Sequence, residues 1–195
     1  MSRLVSINIP VKLVLQSILP ESKKNTYGTY KVSFEVLEIE PLPQMKKRIK
    51  AELLESGFYD QGKQLDKQYK QGHTAKLDLE SMEMTVKVKL PSNISVAYED
   101  EGAIDRYYNV QNNIDKKNFT EDAETKQFLA SQIQKRCAPI LEEAVSEASL
   151  EVNKAMKKAY KDALVKKAES MGKIKSVQES KKGNTFKVRV QVIEQ

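Results

Sequence analysis

This 195-residue sequence predicts an α+β fold: antiparallel sheets or hairpins with one short helix and a long, Pro-interrupted C-terminal helix followed by a closing β-hairpin. Three observations carry the prediction. Several short runs alternate apolar and polar residues with the period of a half-buried strand. From Thr120 the period lengthens to that of a helix and holds as far as Met171. After Gly172 the two-residue period returns.

The first run sets Val5, Ile7, Ile9, Val11, Leu13 and Leu15 two apart, with Ser6, Asn8, Pro10 and Lys12 between them. A signal peptide needs an unbroken apolar stretch and a small-residue cleavage site, so this run reads as a strand. Residues 21–28 form a polar loop, and a hairpin partner follows in which Tyr30, Val32, Phe34 and Val36 alternate with Lys31, Ser33 and Glu35. Pro41 and Pro43 stop it. Pro43 suits an early helical position, where a backbone N–H is not needed. Met45, Ile49 and Leu53 then recur four apart, and Gly57, after Ser56, is placed as a left-handed C-cap. A polar stretch runs from beyond Phe58 to Gly72 and His73. Ala75, Leu77 and Leu79 alternate next, as do Met84, Val86, Val88 and Leu90, with residues 80–83 as the turn. Residues 91–117 read mostly as a linker, with an edge strand at Ile94, Val96 and Tyr98 and an acidic run at Glu99, Asp100 and Glu101.

Thr120 is placed as the N-cap of the long helix, with Glu121, Asp122 and Glu124 at the positive end of its dipole. Its apolar stripe runs through Phe128, Leu129, Ile133, Cys137, Leu141, Val145, Ala148, Val152, Met156, Tyr160, Leu164, Ala168 and Met171. Pro139 lies inside the stripe and should kink or split the helix, because proline removes a backbone bond and clashes with the preceding turn. Unbroken, the helix would be about 75 Å long, more than a small sheet can cover, so part of the stripe needs another partner. The closing hairpin sets Ile174 and Val177 before a turn at residues 181–184, then Phe186, Val188, Val190 and Val192 alternating with Lys187, Arg189 and Gln191. Helix, glycine, strand, turn, strand thus occurs around Gly57 and again around Gly172. The expected organisation is an N-terminal α+β unit over residues 1–118 and a long helix plus hairpin over 119–195, packed separately or as one domain.

The search for chemistry returns little. The net charge is +6, but 27 acidic residues are interspersed among 33 basic ones, so the bias toward acidic partners is mild. His73, the single histidine, reads as a surface loop residue. Cys137, the single cysteine, sits on the helical stripe as a small hydrophobe, excludes an internal disulfide and fits a cytoplasmic location. The seven glycines are scattered, without GxGxxG or GxxxxGK, and Glu99, Asp100 and Glu101 match no calcium loop. No catalytic residue, cofactor site or metal site is expected, and no run approaches the roughly 20 apolar residues that cross a bilayer.

The strongest charge feature lies on the long helix, where Glu142, Glu143, Glu147 and Glu151 precede Lys154, Lys157, Lys158, Lys161, Lys166 and Lys167. Two such helices could pair antiparallel as a homodimer about Val152, burying Leu141, Val145, Val152 and Met156. Equally, early acids and late bases simply complement the helix dipole.

Residues 163–177, with Ala168-Glu169-Ser170-Met171-Gly172-Lys173-Ile174 at their centre, resemble the C-terminal end of accessory proteins of bacterial FtsH ternary systems. The opening Met1-Ser2-Arg3 with its alternating strand, residues 37–43, and Glu52-Leu53-Leu54-Glu55-Ser56-Gly57-Phe58 are similar to the same family. Such proteins are encoded beside MoxR-type AAA+ ATPases and von Willebrand A proteins. The resemblance implies a non-enzymatic component of an ATPase-centred assembly in a conflict or stress system, and it transfers no functional residue.

The leading expectation is therefore an adaptor that presents apolar helix surface, at Leu141, Val145, Val152 and Met156, together with sheet edges to a protein partner such as a MoxR-type ATPase or a von Willebrand A protein. The alternative is a nucleic-acid or polyanion binder using Lys154, Lys157, Lys158 and Lys161, whose affinity would fall steeply with salt.

Overall fold

A computed structural model describes residues 5–11, 15, 28–98, 123–182 and 185–193, and it is an α+β structure. In chain order the elements are β1 (Val5–Pro10), β2 (Thr29–Ser33), α1 (Leu42–Glu55), β3 (Tyr59–Asp60), β4 (Gln64–Gln68), β5 (Thr74–Asp78), β6 (Glu83–Lys87), β7 (Asn93–Tyr98), α2 (Ala123–Glu169), β8 (Lys173–Lys182) and β9 (Thr185–Ile193). The chain divides into two compact units, Met1–Thr29 with Val88–Ala144 and Tyr30–Lys87 with Val145–Gln195. The division falls within α2, with residues 123–144 in one unit and the rest of the helix in the other. The expected loop at 21–27, the acidic run at 99–101, the cap at Thr120 to Asp122 and the turn tip at 183–184 lie outside the described residues.

In the first unit β1 pairs antiparallel with β7, setting Ile9 opposite Ile94. Both are buried, with Leu129, Ile133 and Cys137 of α2, four apart, completing the core. This pairing corrects the expected hairpin between the first two strands: β1 takes the segment read as an edge strand within a linker. The alternation beyond Pro10 also misleads, since Val11 and Leu15 are helical and buried. Their spacing of four satisfies both the strand and the helix period.

The second unit is built on a five-stranded sheet in the order β2-β6-β5-β4-β3. Register aligns Leu65 with Leu77 and Met84, and Lys67 with Ala75 and Val86. The five apolar residues of those rows are fully buried, while Asp66, Lys76 and Thr85 turn to the opposite face. α1 contributes Met45, Ile49 and Leu53 to the core. It ends as the sequence predicts. Gly57 takes φ +88°, the Phe58 N–H reaches Leu53 O at 3.0 Å and the Gly57 N–H reaches Leu54 O at 3.1 Å, and the buried Phe58 and Leu53 complete the cap. β3 and β4 occupy the stretch read as polar loop.

Described as one helix of 47 residues, α2 runs through Pro139 without a break. In the second unit its buried positions are Ala148, Val152, Ala155, Met156, Ala159, Ala163 and Ala168, while Tyr160 and Leu164 of the expected stripe are half-buried. Steps of four rotate about 40° off one face each time, so a stripe stepped by fours walks away from the core. Alternating steps of three and four stay on it. The many alanines let this part of the helix approach its neighbours closely. β8 and β9 form a separate two-stranded antiparallel sheet with a bulge at Ile174/Ser176. Gly172, just before it, has no room for a side chain: a Cβ there would lie 2.6 Å from Ile193 O.

Candidate functional site

Two places in the second unit gather polar side chains. The first begins at the turn between β4 and β5, where the Gly72 N–H donates to Tyr69 O at 3.0 Å and the Tyr69 N–H to His73 O at 2.9 Å, with Gly72 at φ +89°. That geometry sets Tyr69 and His73 opposite each other on one face. Their rings stack, centroids 4.2 Å apart and 14° between planes. Glu151 of α2 accepts the Tyr69 hydroxyl at 2.7 Å and the Lys67 ammonium at 2.8 and 2.9 Å. Lys67 also donates to Ser56 O, at the C-cap of α1, at 2.7 Å, and lies 5.4 Å above the Phe58 ring. Burial, and secondarily the Glu151 carboxylate, push the Tyr69 phenol well above its ordinary value. This cluster ties α1, the sheet and α2 together.

His73 departs from expectation here. It sits in a turn, as its sequence suggests, but is only 4% exposed. Its Nε2 lies 3.4 Å from Glu147 Oε2 without making a hydrogen bond, and Asp66 Oδ1 is likewise buried without a hydrogen-bond partner among the described residues. The cover comes from Tyr69 and from α2, at a sequence separation no local pattern reports. Cys137 is buried, and burial raises its thiol above the ordinary range, which suppresses the reactive thiolate. Among the described residues no group of three or more His, Cys, Asp or Glu side chains could hold a metal ion.

The candidate interface residues separate. Val152 and Met156 are 0% and 5% exposed, inside the second unit's own core. Leu141, on the first unit's part of α2, and Val145, at the start of the second's, are half-buried. The candidate polyanion residues separate too. Lys158 lies between Glu52 at 2.6 Å and Glu55 at 2.8 Å, which hold its ammonium well above the usual lysine range. Lys161 pairs with Glu179 of β8 at 2.6 Å. Lys154 is exposed and Lys157 half-buried, and neither makes an ion pair among the described residues. The acid-then-base order along α2 thus serves contacts within this unit: Glu151 to Lys67, Lys158 to α1, Lys161 to β8.

The second place is the β8–β9 hairpin. Its strands are 10 and 9 residues long, and among the described residues each has only the other as a hydrogen-bonded neighbour. One face carries Ile174, Phe186, Val188, Val190 and Val192, all half-buried, with Val177 38% and Ile193 51% exposed nearby. On the other face Arg189 stands opposite Gln178 and Lys187 opposite Ser180, so neither cation has an acid across the ladder. The two cations line an open depression of about 480 Å³ with Gln178, Glu179 and Ser180. Sequence reading found this hairpin and offered sheet edges as contact surface, but singled out none of the hairpin's residues. The signal was present in the composition of residues 173–193, where Lys173, Lys175, Lys181, Lys182, Lys187 and Arg189 face a single acid, Glu179.

The family model described as FtsH ternary system domain X5 matches residues 8–192. No curated protein and no solved structure matches the chain.

Proposed function

The chain belongs to the FtsH ternary system domain X5 family, and from that premise we propose that it is a non-enzymatic adaptor that contacts a protein partner through the β8–β9 hairpin. The family name makes it a component of an FtsH ternary system. No helix among the described residues is long and apolar enough to cross a membrane.

The single observation that supports the contact element is the hairpin's incomplete cover. A two-stranded sheet is marginal alone and gains from a further strand or surface, and this one leaves both outer edges unpaired among the described residues. The partner is a MoxR-type AAA+ ATPase or a von Willebrand A protein of the same bacterial system. Val152 and Met156 are occupied in the core of the second unit, which leaves the contact to other surfaces.

The test is co-purification of the tagged chain, after nuclease treatment, with the ATPase and von Willebrand A proteins encoded beside it. Retention of either is the expected result. Retention of neither, with nucleic acid recovered from the untreated sample, would favour polyanion binding through Lys154, Lys157 and the hairpin lysines.

A further inference from the structure

An extended segment from another chain can add to a sheet edge by main-chain hydrogen bonds, with its alternate side chains read by the two faces of the sheet. Whether an edge invites this, and for which segment, depends on its regularity and charge. β8 is the poorer template, since its bulge interrupts the ladder and Glu179 is already held by Lys161. β9 carries no proline and no bulge along its 9 residues. Lysines on an edge usually guard against pairing with like strands. Two copies of β9 would bring Lys187 and Arg189 beside the same cations, so a second hairpin is repelled.

We propose that β9 is a docking edge for an extended peptide segment of a partner protein in which acidic and apolar residues alternate. Carboxylates of that segment fall beside Lys187 and Arg189, whose cross-strand neighbours Ser180 and Gln178 are uncharged, and meet the depression those cations line. Its intervening apolar residues fall beside Val188, Val190 and Val192 and extend a face that is only half covered. Sequence charge points the same way: six basic residues against one acid across residues 173–193 leave +5 (6 − 1). The inference rests on the adaptor reading and names the chemistry of its partner.

The test uses the full chain and a fluorescein-labelled peptide of alternating Glu and Val, matched in length to β9, with an alternating Lys and Val peptide and an oligothymidylate of similar length as competitors. Anisotropy should show saturable binding of the Glu/Val peptide alone, weakened about tenfold or more by Lys187→Glu with Arg189→Glu and unchanged by Lys154→Glu. Should the charge-reversed variant fail to fold, Lys187→Gln with Arg189→Gln gives the same readout. Hydrogen exchange must show new protection across Thr185–Ile193. Binding without that protection, equal binding by the variants, or tighter binding of the oligonucleotide would overturn the proposal. If the ternary-system partner is retained equally by wild type and variant, the adaptor reading stands and the β9 assignment falls. If no partner is retained, the adaptor reading fails whatever the peptide does.

Discussion

The β5–β6 hairpin and the β8–β9 hairpin share one sequence pattern and differ in what covers them. Both alternate apolar and polar residues, yet Ala75, Leu77, Met84 and Val86 are fully buried while Ile174, Val188, Val190 and Val192 are half-buried. Strand β5 has a strand on each side and β6 pairs with β5 and β2, in a unit whose core also takes in α1 and the latter part of α2. The second hairpin has only its own two strands among the described residues. Alternation therefore specifies a strand and its two faces, but burial is decided by elements distant in sequence. An incompletely covered hairpin is where a partner has something to add.

The contrast can be broken by mutation. Val152→Asp places a carboxylate in the second unit's core and should cost about 4 kcal/mol or more, which thermal or urea denaturation would register as loss of the folded unit. A variant that folds normally would return Val152 to the role of a docking residue. Leu77→Ala should cost about 2–5 kcal/mol, whereas Val190→Ala should cost under about 1 kcal/mol. Equal losses in paired denaturation curves would erase the distinction between the two hairpins. Lys67→Met removes the cation that Glu151 and Ser56 O share and should cost about 2 kcal/mol, against a change within about 0.5 kcal/mol for the exposed Lys154→Met.

The smallest effect is acid sensitivity. Glu40 is held below its ordinary range by Arg48, Asp60 by Lys50, and Asp78 by the Ser81 N–H. Depressed folded values mean that the stability these carboxylates contribute is present above their ordinary values of 4.5 and 3.8 and is lost as pH falls through the lower folded ones. Melting temperature should decline below about pH 4, and Asp78→Asn should flatten that decline; an unchanged slope would contradict the assignment.

Much of this architecture was legible because local signals and tertiary outcome agreed. The α1 cap at Gly57, the β5–β6 hairpin, the long helix and the closing hairpin all follow from short-range patterning. The failures share a cause. β4 hid because Lys67 takes an inward position, so its alternation of Leu65, Lys67 and Tyr69 looked polar. β1 found β7 across residues 30–87 of the second unit, a pairing that hairpin proximity argued against. His73 was read from its turn alone, while its burial comes from Tyr69 and from α2. Val152 and Met156 were read as surplus apolar surface because nothing in the helix itself says that α1 and the sheet are waiting for it. The basic hairpin was visible as composition, and its open edges only as structure.

Native-state hydrogen exchange of the free protein separates the two hairpins in one experiment. Amides of β5 and β6 should exchange only through opening of the whole unit, and outward-facing amides of β9 should exchange through local opening at far lower free energy. Equal, high protection across Thr185–Ile193 in the absence of any partner would mean that the edge is already covered, and would contradict its reading as a docking surface.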